Sequence, residues 1–245
     1  MSASNSAAMI ISAEEINSTV EVLCRYSLHS CPRELREGWF VLPGGIRVGV
    51  TGTVSETAEA SIHDFSSLNF RIAREVIGCA DEIFRSCRNS TGILICGSVN
   101  SGKTTILRDL CRSFGNCTKT ALIDERNEIA ACENGVPTND VGALTDILTG
   151  YQRSQGILSA VRTMSPDIIF CDEIAASDDV EAFISAQGSG IRFAATIHAG
   201  SFDDLMKREF AKVLIRKNVF THAVILSGSK EPSAVREIRR LIDVL

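Results

Sequence analysis

The sequence predicts an α/β fold, with a small N-terminal α/β domain in front of a larger one. Three short, mainly apolar runs of strand length are found at residues 92–96, 119–123 and 168–171, and the unbroken apolar run at 168–171 is expected of a strand that is buried on both faces. Segments with helical spacing of apolar residues follow these runs, so strand and helix alternate along the chain. A polar link at residues 88–91 divides the two predicted domains, residues 1–90 and residues 91–245.

The N-terminal domain is predicted to contain a helix, an antiparallel hairpin and a further strand. Ser12 and Glu15 form a capping-box pattern, and apolar residues then follow at helical spacing. Two strand-like runs within residues 38–50 flank a Pro-Gly-Gly turn at 43–45. The remaining segments are described by pattern alone: residues 1–8 as a frayed end, 55–64 as a polar loop, 67–73 as a half-buried strand, and a helix through Ile83 and Phe84.

Residues 97–104 read GSVNSGKT and match the phosphate-binding pattern G-x-x-x-x-G-K-[ST]. Its glycines let backbone N–H groups face the α- and β-phosphates, Lys103 reaches the β- and γ-phosphates, and the Thr104 hydroxyl can bind Mg²⁺. A strand-like run precedes this loop and a helical segment follows it, so the positive end of the helix dipole would face the phosphates. The alternative, a chance Gly/Ser-rich turn, becomes rare in this context. The predicted nucleotide-binding residues are Gly97, Ser98, Val99, Asn100, Ser101, Gly102, Lys103, Thr104 and Thr105.

Carboxylates follow two of the predicted strands. Residues 124–128 read DERNE and come directly after the run at 119–123, while Asp172 and Glu173 end the run at 168–171 in a Walker B pattern. Groups at the carboxyl edge of an open α/β sheet lie where such sheets bind ligands. We expect Asp172 to hold Mg²⁺ and Glu173 to orient and deprotonate an attacking water. For residues 124–128, a solvated acidic turn is the alternative.

The rest of the larger domain is predicted from periodicity. Residues 133–142 form a loop, and two helical patterns follow, at 144–148 and 157–164. The later segments are helices at 180–186 and 202–215, strands at 191–196 and 219–226, and a C-terminal segment at 234–241. His198 follows the strand at 191–196, where it either senses the γ-phosphate or has a structural role.

Composition and charge disfavour several classes of protein. The chain is 44% hydrophobic and 22% charged, as soluble globular proteins are. A net charge of -5 without a basic cluster argues against nucleic acid as the main partner. The nine cysteines include no C-x-x-C pair or zinc-site spacing. No signal peptide or membrane-spanning run is found, so we expect a cytosolic protein whose only membrane contact is peripheral.

The order of the motifs resembles that of the secretion ATPases of type II and type IV secretion and of pilus motors. These have a Walker A loop, an acidic box, a Walker B strand preceded by Arg and Pro-Asp, and a His box, which here correspond to residues 97–104, 124–128, 162–173 and 195–200. Within that superfamily the chain resembles the stage III sporulation AA family. The resemblance covers roughly residues 10 to 242 and rests on residues 38–49, 67–75, 124–130, 139–146 and 162–173.

This resemblance implies a RecA-like P-loop NTPase core that binds ATP and Mg²⁺ between the subunits of a ring, usually a hexamer. It also implies a place in the cytoplasm, at the base of a membrane-spanning channel complex. By the same analogy, Glu125 and Glu128 belong to the acidic box and His198 belongs to the His box. The expected catalytic residues are Glu173, Lys103, Arg162, His198 and Glu128, and the expected metal ligands are Thr104, Asp172 and Glu125.

Two departures from the family pattern affect these expectations. Ala175 and Ala176 stand where the family has Gly-Arg, which removes a guanidinium, so either turnover is slow or another arginine, such as Arg162 or Arg153, replaces it. The segment expected before the first helix is also absent, because the sequence begins late, so the N-terminal docking of the family is not carried over to this chain. Two other functions stay open: a nucleotide-dependent assembly scaffold with little turnover, and a RecA-like nucleic-acid motor.

Overall fold

The computed structural model describes residues 11–27, 31–42, 46–54, 62–71, 75–174 and 179–241. They belong to two compact units, Met1–Ala73 and Arg74–Leu245. The larger unit begins before the predicted boundary at 88–91, because helix α3 (Asp81–Cys87) buries Ile83 and Cys87 in the core of that unit. Four predicted features lie outside the described residues: the end at 1–8, the turn at 43–45, positions 55–61 of the polar loop, and Ala175 with Ala176.

The smaller unit has the helix, hairpin and strand that its sequence predicts. Ser12 caps the first helix: its hydroxyl accepts a hydrogen bond from the Glu15 backbone N–H, and the Glu15 carboxylate accepts one from the Ser12 N–H. The third strand begins at Ile62, so residues 62–64 of the predicted loop belong to that strand instead. The elements are helices α1 (Ala13–Leu23) and α2 (Pro32–Glu37), and an antiparallel sheet in the order β1 (Trp39–Leu42), β2 (Ile46–Val54), β3 (Ile62–Arg71).

A seven-stranded sheet forms the centre of the larger unit, in the order β10-β9-β4-β8-β7-β5-β6. All neighbouring strands are parallel except β10 and β9, which are antiparallel. The strands are β4 (Gly92–Gly97), β5 (Thr120–Asp124), β6 (Thr145–Thr149), β7 (Ile168–Cys171), β8 (Arg192–His198), β9 (His222–Leu226) and β10 (Val235–Arg240). The strands β4, β5 and β7 are buried along their whole length, as their apolar runs predict.

Helices cover both faces of this sheet. Residues alternate between the two faces, so that Ile93 and Ile95 of β4 contribute to one hydrophobic cluster while Leu94 and Cys96 contribute to another. The first cluster contains α3 and α4 (Lys103–Gly115); the second contains α5 (Arg153–Thr163), α6 (Val180–Gly188), α7 (Phe202–Met206) and α8 (Glu209–Arg216). Within the described part of the chain, no helix combines the length and apolar character that crossing a bilayer requires.

Two predicted helical segments differ from the structure. The apolar spacing of Leu144, Ile147 and Leu148 fits a helix, but residues 145–148 form most of β6, because this segment pairs with β5 and, of these three side chains, only Leu148 is buried. The predicted helix at 202–215 is divided between α7 and α8. Arg208 has extended backbone angles (φ -91°, ψ 110°) and begins a new helix as its N-cap.

Candidate nucleotide-binding site

The loop between β4 and α4 folds back tightly at both of its glycines. Gly102 has a φ of +88°, a left-handed conformation that favours glycine. A side chain would also have no space there, because a Cβ atom on Gly102 would collide with Ser233, and one on Gly97 would collide with the Ser101 hydroxyl. The Ser101 hydroxyl donates a 2.8 Å hydrogen bond to the Ser98 carbonyl within the loop. The loop therefore has the compact turn that its sequence predicts.

The N-terminus of α4 fits an anionic ligand. No described side chain caps this end, and its first turn carries no acidic residue. The first N–H groups of a helix need hydrogen-bond partners, and together with the helix dipole they favour phosphate. Ser98, Val99 and Asn100 are exposed at the tip of the loop, whereas Ser101 is buried beneath it. The backbone thus leaves a cradle of the kind that phosphate oxygens occupy.

Lys103 connects this loop to β8. Its ammonium donates hydrogen bonds to the carbonyls of Gly97 (3.0 Å) and Ser98 (2.8 Å), and it lies 3.2 Å from Nδ1 of His198. Burial lowers the pKa of Lys103, while the nearby Glu173 and Asp172 carboxylates oppose that shift. Since an ammonium can only donate, Nδ1 of His198 accepts, and the network assigns the ring proton to Nε2. That nitrogen lies 3.4 Å from Oε1 of Glu173.

Asp172 follows β7 and lies between two hydroxyl groups. Thr104 in the first turn of α4 donates to Oδ2 at 3.5 Å, and Thr196 in β8 donates to Oδ1 at 2.7 Å. Hydroxyl and carboxylate oxygens suit Mg²⁺, which commonly takes one or two protein ligands and completes its shell with phosphate oxygens and water. No cluster of three or more His, Cys, Asp or Glu residues that could hold a metal by itself occurs in the described ranges. Thr104 and Asp172 therefore fit the predicted metal position in a nucleotide-dependent site.

The acidic box after β5 is organised by a buried carboxylate. Asp124 is 2% exposed and accepts hydrogen bonds from the backbone N–H groups of Glu128, Ile129 and Ala130 at 2.8–3.0 Å. Burial raises the pKa of Asp124, although these hydrogen bonds favour its charged form. Arg108 of α4 donates to the carbonyls of Ile129 (2.8 Å) and Glu128 (2.7 Å). Asp124 thus orders the backbone of the acidic box, and Arg108 ties that box to the helix that follows the phosphate-binding loop.

Glu125 contacts the first residue of α5, and Arg162 lies in the last turn of that helix. The Glu125 carboxylate pairs with Arg153 at 3.3 Å, and the same guanidinium donates a 2.6 Å hydrogen bond to Asp179. The described contacts of Glu125 therefore lead to α5 and α6 rather than to Asp172. Arg162 is exposed in the last turn of α5, about 14 Å along the helix from Arg153, at the end that leads into the amino end of β7.

The structure adds site residues that the motifs did not indicate. Thr196 lies two positions before His198, and residues at that spacing in a strand point to the same face, which is the one signal that could have revealed it. The Ser233 N–H donates a 2.8 Å hydrogen bond to the Ser101 carbonyl from the segment between β9 and β10. No motif links these two positions, so Ser233 had no sequence signal.

Comparison with known proteins gives one family and one fold. The family model for sporulation stage III, protein AA matches residues 1–241. The stage III sporulation protein AA of Bacillus subtilis (strain 168) is 34% identical over 236 residues, which cover 92% of this chain and 77% of that protein.

Solved structures resemble the chain at much lower identity. The ATPase DotB of Legionella pneumophila has a TM-score of 0.57 at 15% identity, over 89% of this chain and 65% of that one. The pilus retraction motor PilT, solved with bound ADP, has a TM-score of 0.54 at 16% identity, over 76% of this chain and 57% of that one. The chain thus spans less than two thirds of the length of these two proteins, and the likeness establishes the RecA-like fold. The near-complete match to the family model and the identity to the Bacillus subtilis protein show that this chain belongs to the sporulation stage III, protein AA family.

Proposed function

We propose that this protein binds and hydrolyses ATP as a ring ATPase, resembling secretion and pilus motors, and energises a sporulation channel complex at the cytoplasmic face of a membrane. One observation carries the proposal: three strands and one loop bring a cation, a hydroxyl, two carboxylates and an imidazole into contact at one edge of the sheet. These groups belong to Lys103, Thr104, Asp172, Glu173 and His198, and the contacts among them range from 3.2 to 3.5 Å.

Phosphate binding would use groups that already face the cradle. The backbone N–H groups of residues 101–104 and the Lys103 ammonium would surround the β- and γ-phosphates. Lys103 would exchange its hydrogen bonds with the Gly97 and Ser98 carbonyls for bonds with phosphate oxygens. Thr104 and Asp172 would hold Mg²⁺, which would neutralise charge on those oxygens.

Glu173 has the position and the exposure that a catalytic base requires. Its carboxylate is 33% exposed, so water reaches it, and Nε2 of His198 can orient one of its oxygens. A water held by Glu173 would attack the γ-phosphorus, the bond from that phosphorus to the ADP oxygen would break, and the proton from the water would pass to Glu173. Lys103 and the loop N–H groups would stabilise the charge that develops on the transferred phosphoryl group.

Ring assembly would supply a further cation. Among the described residues, Lys103 is the cation whose contacts place it at this site, and Arg153 is already bonded to Asp179 and Glu125. Phosphoryl-transfer sites often take an arginine from a neighbouring protein or subunit. We propose that a neighbour's arginine completes the site, with Arg162 as the candidate because it is exposed and remote from its own Lys103.

Steady-state ATP hydrolysis by the full chain and by Glu173→Gln, with oligomer mass followed in the same samples, tests this function. The exposed Glu181 of α6 gives a matched control, Glu181→Gln. We expect hydrolysis that rises with assembly, is retained in the control and falls by about 10²–10⁴-fold in Glu173→Gln, while ATP binding persists. Unchanged turnover in Glu173→Gln would remove its role as base. Assembly and binding without turnover would indicate a scaffold, and strong salt-dependent binding to DNA would indicate a nucleic-acid motor.

A further inference from the structure

Thr196 holds the Asp172 segment through both its side chain and its backbone. It is fully buried in β8, and its hydroxyl donates a 2.7 Å hydrogen bond to Oδ1 of Asp172. Its carbonyl accepts a 2.8 Å hydrogen bond from the N–H of Ile174. The segment that follows β7 is thus fixed to the neighbouring strand on both sides of Glu173.

The register of the two strands places these groups together. Cys171 of β7 pairs with Ala195 of β8, so Asp172 comes next to Thr196 where the regular pairing ends. With Oδ1 occupied by the Thr196 hydroxyl, Oδ2 faces the hydroxyl of Thr104. The Asp172 carboxylate can rotate about its Cβ–Cγ bond. Its 2.7 Å hydrogen bond with Thr196 is shorter than its 3.5 Å contact with Thr104, so the Thr196 hydroxyl sets the orientation of the carboxylate.

We propose that Thr196 is a positioning residue for the metal of the nucleotide site. Its hydroxyl fixes the rotation of the Asp172 carboxylate, so that Oδ2 is held toward Thr104 and toward the Mg²⁺ that accompanies the nucleotide. This inference rests on the proposed function, because it concerns the Mg²⁺-dependent part of nucleotide binding. Groups that orient a metal ligand in this way typically change metal affinity by 10- to 100-fold when they are removed.

The substitution Thr196→Val isolates the hydroxyl. Valine is close to threonine in shape and keeps the backbone carbonyl that binds Ile174, whereas Thr196→Ser keeps the hydroxyl. Thr120→Val provides a matched control, since Thr120 is equally buried, bonds the Thr118 carbonyl at 3.0 Å and lies at the opposite, amino end of β5.

Calorimetric titration of ADP into the full chain, once with Mg²⁺ and once with EDTA, measures the quantity that the proposal concerns. The Mg²⁺-dependent gain is the ratio of the two dissociation constants. We expect Thr196→Val to reduce this gain by about 10-fold or more while the affinity in EDTA stays near that of the wild type. Thr196→Ser and Thr120→Val should keep the gain of the wild type.

The remaining outcomes separate the inference from the proposed function. A full Mg²⁺-dependent gain in Thr196→Val would overturn the role of Thr196 while leaving nucleotide binding intact. A wild-type chain that binds ADP in neither condition would overturn the proposed function, and the inference with it. If Thr196→Val does not fold, Thr196→Ala and Thr196→Ser replace it: loss of the gain in the alanine variant alone supports the proposal, and equal gains contradict it.

Discussion

Lys103 and His198 share a hydrogen bond, with 3.2 Å between Nζ and Nδ1, although one begins α4 and the other ends β8. The imidazole continues this connection to Glu173, which lies 3.4 Å from Nε2. One ring therefore touches the group expected to bind the γ-phosphate and the group expected to activate water. If Lys103 moves when a nucleotide binds, the His198 ring would transmit that movement directly to Glu173.

The two nitrogen atoms of His198 can be tested separately. An asparagine amide approximates the position of Nδ1, whereas a glutamine amide approximates that of Nε2. We expect His198→Gln to retain part of the turnover because it keeps a donor for Glu173, and His198→Asn to lose at least about 10-fold in kcat. Both variants should bind ATP, since Lys103 retains its other partners. Wild-type kcat in both variants would exclude the ring from the reaction.

Replacing Lys103 should eliminate function without destabilising the fold. Lys103→Ala removes a buried cation whose pKa burial already lowers, so the free energy of unfolding should fall little. Tight ATP binding or turnover should be lost, because the β- and γ-phosphates lose their charged partner. Calorimetric binding and a hydrolysis assay measure this, with the exposed Lys207→Ala as control. Continued hydrolysis in Lys103→Ala would refute the proposed site.

A methyl group at Gly102 should disrupt the loop more than backbone strain alone would. Gly150 is a matched control because it also has a positive φ, +75°, but its added Cβ would meet no atom within 4 Å. We expect Gly150→Ala to cost about 1–2 kcal/mol in unfolding free energy from the left-handed conformation. Gly102→Ala should cost more and weaken ATP binding, because its Cβ collides with Ser233. Equal losses in denaturation experiments would show that Ser233 yields without cost.

Asp109 should make the stability of the larger unit depend on pH. Its carboxylate is 4% exposed; this burial opposes ionisation, but hydrogen bonds from the Ala80 N–H (2.8 Å) and from Arg112 outweigh it and lower the pKa of Asp109 below its ordinary value of 3.8. An acid whose pKa is lower in the folded state stabilises the fold above its unfolded pKa, and this contribution is lost as the pH falls through the folded pKa.

Asp109→Asn tests this dependence. We expect a loss of about 1.5–3 kcal/mol in unfolding free energy at neutral pH, since hydrogen bonds to a charged group are replaced. The difference from the wild type should shrink below about pH 4, as Asp109 of the wild type becomes protonated. Urea denaturation across this range measures it, with the exposed Asp146→Asn as control. A constant difference at all pH values would contradict the assignment.

The sequence predicted the parts of the fold that depend on residues close to one another in the chain. The buried strands β4, β5 and β7 stand out as short, mainly apolar runs, and the helix cap at Ser12 depends on residues three positions apart. The segment at 144–148 was predicted wrongly because its apolar spacing fits a helix, while its pairing with β5 depends on residues more distant in sequence. The break at Arg208 likewise leaves no interruption in the apolar pattern.

The candidate site was predictable where one motif contains the residues. Lys103 with Thr104, and Asp172 with Glu173, could be named because the chemistry and the spacing are both local. The contact of Thr196 with Asp172, and that of Arg153 with Glu125, arise from the order of strands in the sheet, which a motif does not contain. The same holds for Arg162. Its position, at the end of α5 that leads into the amino end of β7, depends on the direction in which that helix runs in the fold, which a motif does not contain.

The central position of β4 has a consequence for how the protein is made. This strand pairs on one side with β8 and on the other with β9. Both of these strands are synthesised about 100 residues or more after the phosphate-binding loop, since they begin at Arg192 and His222. Ser233, whose N–H donates a hydrogen bond to the Ser101 carbonyl of that loop, is synthesised later still. A growing chain that has already exposed residues 97–104 therefore lacks the neighbours that give them their shape. A nucleotide that binds this loop would therefore find no formed cradle while synthesis continues, and would stabilise the fold only after β8, β9 and Ser233 are in place.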